Sequence, residues 1–66
     1  MTIKQLISNL HSDVTIAIFE DRGTDGSIVY EGLQEYLINN SQFDRVKVWH
    51  WRPFSADKIC IYYKAR

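Results

Sequence analysis

A chain of 66 residues has room for one small domain, and folding at this size hides only about 60% of the surface the unfolded chain exposes. Its composition, 45% hydrophobic and 24% charged with one Pro and three Gly, excludes a disordered or collagen-like chain. Eight bases balance eight acids, which excludes both a uniformly basic nucleic-acid binder and a uniformly acidic nucleic-acid mimic. The one cysteine, Cys60, offers no internal disulfide and too few ligands for a zinc site even with His11 and His50, so no metal and no cofactor are expected. Met1 to Gln5 lacks the basic opening and apolar run of a signal peptide, and no stretch approaches the roughly 18 apolar residues of a membrane span. A cytoplasmic protein without a membrane partner is the expectation.

The zero net charge is a sum of unequal halves. Residues 1–44 hold seven acids (Asp13, Glu20, Asp21, Asp25, Glu31, Glu35, Asp44) and two bases (Lys4, Arg22), a net of −5. Residues 45–66 hold six bases (Arg45, Lys47, Arg52, Lys58, Lys64, Arg66) and one acid (Asp57), a net of +5. Such segregation either pairs internally, at about 0 to 1 kcal/mol per surface pair, or marks a basic surface for an acidic partner or a second copy.

In chain order, Thr2 and Gln5 have the spacing of a capping box. Ile3, Leu6, Ile7 and Leu10 then place one apolar stripe on a helix of about nine residues ending near His11. Asp13 to Phe19 alternates as a strand, with Val14, Ile16 and Ile18 on one side and Thr15, Ala17 and Phe19 on the other. Glu20 to Gly26 concentrates turn residues and predicts a loop.

Ser27 to Glu31 suits a second strand closing a hairpin, with Gly32 marking entry to a helix that carries Leu33, Tyr36 and Leu37. The alternative is one helix over 28–39 capped by Ser27, with Gly32 inside it costing about 1 kcal/mol. Asn39, Asn40 and Ser41 end the helix in either case. Arg45 to Trp51 alternates, Arg52 to Asp57 reads as a turn, and Lys58 to Lys64 answers as the return strand. Matching apolar partners pairs Val48 with Ile61, Val46 with Tyr63 and His50 with Ile59 on the core face. The other face then carries Arg45, Lys47, Trp49 and Trp51 opposite Lys64, Tyr62, Cys60 and Lys58.

The whole reads as an α+β two-layer domain over 1–66, helix-hairpin-helix-hairpin (αββαββ), with both helices on one face of an antiparallel sheet; the alternative is αβαββ. The succession Met1 to Leu10, Val14 to Glu20 with its acidic turn, Tyr30 to Leu37 and a closing apolar strand pair is similar to small uncharacterised phage and prophage proteins of Gram-positive bacteria. That resemblance implies a short protein that binds a host or defence-system protein, CRISPR nucleases included, and carries over no functional residues. Trp49, His50 and Trp51 lie outside the resembling pattern.

Catalytic chemistry finds no support in the motifs. In the register above, Cys60 and His50 project from opposite faces, which separates a thiol nucleophile from its base. No phosphate loop or His-Glu-x-x-His occurs, and Glu20, Asp21 and Asp25 lack the alternating ligands of a calcium loop. An enzyme is therefore not expected. What remains is a sheet face that two helices cannot cover, with Phe19, Trp49, Trp51 and Tyr62 ringed by Arg45, Lys47 and Lys58. Such a face fits a host or phage protein, or a second copy of the chain. The alternative is single-stranded nucleic acid, with bases stacked on Trp49, Trp51 and Tyr62 and phosphates held by the lysines and arginines.

Overall fold

The computed structural model describes residues 1–21 and 26–64; Arg22 to Asp25, within the expected acidic turn, lie outside them, and with them the calcium candidate Asp25. The elements follow as α1 (Ile3–Ile7), β1 (Thr15–Asp21), β2 (Gly26–Leu33), α2 (Gln34–Leu37), a 3₁₀ turn (Ser41–Phe43), β3 (His50–Ser55) and β4 (Lys58–Lys64). This is a small α+β domain with short helices and one four-stranded sheet of order β2-β1-β4-β3. Among the described residues no helix is long and apolar enough to cross a membrane.

The capping box forms: the Gln5 N–H donates to Thr2 Oγ1 at 3.2 Å, and the Thr2 N–H donates to Gln5 Oε1 at 2.8 Å. The helix stops at Ile7 rather than near His11. Ser8 Oγ donates to the Gln5 carbonyl at 2.8 Å and Asn9 Nδ2 reaches the same oxygen at 3.4 Å, so polar side chains take over carbonyl partners that a longer helix would use.

Strand β1 presents Ile16 and Ile18 to the core. Ser27 to Glu31 lies within β2, and Gly32, expected to open a helix, is the penultimate residue of that strand. Helix α2 is accordingly a single turn. Its first residue, Gln34, is the buried polar residue among those described. The Gln34 backbone N–H donates to the Val14 carbonyl at 2.8 Å, and its Nε2 donates to the Ile7 carbonyl at 2.9 Å, satisfying a helix-end acceptor that would otherwise be stranded in apolar surroundings.

The expectation of an antiparallel sheet is corrected. β1 pairs with β2, and β3 with β4, in antiparallel fashion, but the central pair β1 and β4 is parallel, with Ile16 beside Ile59 and Ile18 beside Ile61. A parallel neighbour needs a crossover, and residues 34–49, which hold α2 and the 3₁₀ turn, supply it by carrying the chain from β2 to β3 on the far edge. One core results, with Ile3 and Ile7 of α1, Leu37 of α2 and Phe43 lying against Ile16, Ile18, Ile59 and Ile61.

The expected strand Arg45 to Trp51 is also corrected. The Ile3 N–H donates to the Val46 carbonyl at 2.8 Å, and the Val48 N–H donates to the Met1 carbonyl at 2.9 Å. Residues 46–48 thus run against the N-terminus, with Val46 and Val48 packed on the core, and β3 begins only at His50. The expected turn region from Arg52 to Ser55 becomes strand, closed by a tight turn at Ala56 and Asp57. Pro53 fits there because β3 is an edge strand, where a missing N–H costs no ladder bond.

Candidate functional site

The register of β3 on β4 decides which side chains share the face away from the helices. Trp51 stands opposite Ile61, Arg52 opposite Cys60 and His50 opposite Tyr62. Relative to the expected pairing of Val48 with Ile61, β3 has slipped by three residues, and an odd slip exchanges the two faces of a strand. His50, expected in the core, therefore lies on the outer face beside Tyr62. Trp51 moves to the side of Ile61, where it stays 44% exposed near the sheet edge. Cys60 faces Arg52 instead of Trp49, and Cys60 and His50 share the outer face rather than projecting from opposite faces as expected.

Two rows of outward side chains cross all four strands. One reads Glu31, Ala17, Cys60, Arg52, and the other Ile28, Phe19, Tyr62, His50, from β2 through β1 and β4 to β3. A bulge in β2 brings Ile28, not Val29, opposite Phe19, leaving Ile28 51% exposed. In the second row the Phe19 and Tyr62 rings stack at 5.0 Å with 23° between planes, and His50 stacks on Tyr62 at 5.6 Å and 26°. These separations are close to the roughly 4.8 Å between strands. The rings therefore stand on the sheet with their faces turned to one another and their edges outward.

Charged groups frame this row. The Arg52 guanidinium lies 5.9 Å from the Tyr62 centroid, Lys64 Nζ 3.8 Å from Trp49, and Lys58 Nζ 5.1 Å from Phe54. Lys58 also pairs with Glu31 across β1, and Lys64 with Asp21 at 3.8 Å. The hydrogen bond from Glu31 raises the Lys58 pKa above its ordinary 10.5. Basic residues of the second segment thus meet acids of the first within the same molecule. Beneath Lys58 and Glu31, Ala17 and Cys60 are 1% and 8% exposed.

Of the residues singled out in the sequence, Phe19, Tyr62 and Lys58 lie on the outer face, and Trp49 sits at its margin, its N–H donating to the Tyr62 carbonyl at 2.9 Å. Arg45 and Lys47 are elsewhere. With Trp49, Tyr63 and Lys64 they line a separate open cleft of about 1010 Å³ beside the 3₁₀ turn, and Lys47 bridges to Thr2. His50, expected on the core face, and Arg52, Ile28 and Glu31 belong to the outer face but were not among the candidate contact residues; the tight Ala56–Asp57 turn, which fixes the β3–β4 register, is the signal for His50 and Arg52, whereas Ile28 is placed by the bulge in the β1–β2 pairing. No protein-family model, curated protein or solved structure matches this chain.

Proposed function

We propose that this chain is a small protein-interaction module that presents the outer face of its sheet to a protein partner. The stacked row Phe19, Tyr62, His50 beside exposed Ile28 carries the reading. An aromatic and aliphatic centre rimmed by Arg52, Lys58, Lys64 and Glu31 has the composition of a protein contact surface, in which aromatic and arginine side chains dominate the binding energy. Single-stranded nucleic acid is the weaker reading, because base stacking needs free ring faces. Here Phe19 and His50 flank Tyr62, and Lys64 lies over Trp49. The mechanism is association, not chemistry, and no residue is assigned a catalytic role. A host or defence-system protein as partner rests on the resemblance to phage proteins alone.

The test compares capture of protein partners by the wild type, by Phe19→Ser/Tyr62→Asp and by the control Tyr36→Ser, whose side chain is exposed on the helix side. The reading predicts partners lost with the double variant and kept with the control, and no response of the wild type to a fluorescent oligonucleotide. Capture unaffected by the double variant, or oligonucleotide binding that vanishes with it, would overturn the reading.

A further inference from the structure

Read across the sheet, the outer face is complementary to itself. Its β2 and β1 half carries the acids Glu31 and Asp21, and its β4 and β3 half carries the bases Lys58, Lys64 and Arg52. The two central strands contribute the small or aromatic residues Ala17, Phe19, Cys60 and Tyr62. Consider a second copy laid face to face, related by a two-fold axis that runs parallel to the strands between β1 and β4. Each row then lies on the same row reversed. Arg52 meets Glu31 of the other copy, Cys60 meets Ala17, Tyr62 meets Phe19 and His50 meets Ile28, and every contact occurs twice, as an isologous interface requires.

Two observations favour this occupant. A two-fold axis perpendicular to the strands would instead lay acidic edge on acidic edge and basic on basic, so the charge pattern selects one arrangement. The depression of about 290 Å³ lined by Asp21, Gly26, Trp49, His50, Arg52 and Tyr62 takes in the His50 end of the second row, onto which the axis delivers the exposed Ile28.

We infer that the partner of the outer face is a second copy of this chain, packed sheet to sheet about a two-fold axis parallel to the strands, with Arg52 of each copy on Glu31 of the other. The inference rests on the outer face being a protein-contact surface. Light scattering over a concentration series should give twice the chain mass of 7.8 kDa. Arg52→Glu should weaken association at least about tenfold, and Glu31→Arg/Arg52→Glu should restore it to within about threefold.

A second measurement does not depend on charge-reversed chains folding. Positions 31 and 52 lie on opposite edge strands, three strand spacings or about 14 Å apart, so a zero-length cross-link between them cannot form within one chain. In Arg52→Lys, a carbodiimide should join Glu31 to the introduced lysine and yield covalent dimers. Monomers at every concentration, a dimer indifferent to Arg52→Glu, a double variant that folds yet stays monomeric, or absence of the 31–52 cross-link would overturn the inference. A monomer whose capture of other proteins still depends on Phe19 and Tyr62 would overturn self-association while leaving the outer face as a contact surface.

Discussion

Gly32 is held to glycine by its neighbour two positions back. Both residues point to the core side of β2, and a Cβ on Gly32 would lie 2.8 Å from the Tyr30 hydroxyl and 3.2 Å from its ring carbon. Tyr30 cannot swing away freely, because its ring packs edge-on against Phe43 at 6.1 Å. Gly32→Ala should therefore destabilise the fold by about 1 to 3 kcal/mol, read as a shift of the urea midpoint; an unchanged or raised midpoint would show that the ring yields. Gln34 answers a different demand. Gln34→Leu keeps bulk but removes the donor to the Ile7 carbonyl, and a stranded buried acceptor costs about 1 to 3 kcal/mol. Equal stability of that variant would mean that water replaces the amide. Neither role could be read from the sequence, since both depend on a neighbour that only the folded chain supplies.

Among the elements, α1 was legible because its cap is local: Thr2 and Gln5 are three residues apart, and their reciprocal bonds follow from spacing alone. Thr2→Ala should cost about 1 kcal/mol and lower the thermal midpoint, whereas Thr2→Ser should be nearly neutral. Strands β1 and β4 were legible for a similar reason, their β-branched runs being bounded by turn residues. The register of β3 was not. Val46, Val48, His50 and the tryptophans alternate over Arg45 to Trp51, so period two fits several pairings equally. The choice is made far away, where Met1 and Ile3 take up the backbone of residues 46–48. Once that segment is claimed, the hairpin closes through the short Ala56–Asp57 turn, the Ser55 hydroxyl donating to Asp57 at 2.9 Å. The consequence for the candidate site is large: the slip carries Trp51 away from the outer face and brings His50 and Arg52 onto it, while Phe19, Tyr62 and Lys58 stay where expected, because the alternation of β1 and β4 was read correctly even though β1 runs on through Glu20 and Asp21, which were expected in the loop, and β2 already begins at Gly26.

At the scale of the whole molecule, the opposed charges of the two segments are matched in part by folding itself. Lys58 with Glu31 and Lys64 with Asp21 join residues far apart in sequence across the sheet, as does the hydrogen bond from the Tyr63 hydroxyl to Glu20 at 2.9 Å. Because Glu31 raises the pKa of Lys58 above 10.5, the contribution of that pair is fully present below the unfolded value and disappears as pH rises through the higher folded value. Above about pH 10.5 wild type should therefore lose stability more steeply than Lys58→Met. Parallel profiles would show that the pair adds nothing, as exposed pairs often do. The sign of each segment's charge was plain in the sequence; which charges meet was not, because that depends on β4 lying parallel to β1. Everything proposed for the outer face follows from β3 pairing with β4 so that His50, and not Trp51, stands beside Tyr62. The most direct test is a nuclear Overhauser spectrum of the aromatic protons. Cross-peaks are expected from Tyr62 to both Phe19 and His50, and from Trp51 to Ile61; a cross-peak from His50 to Ile59, with Tyr62 facing Lys47, would contradict this register.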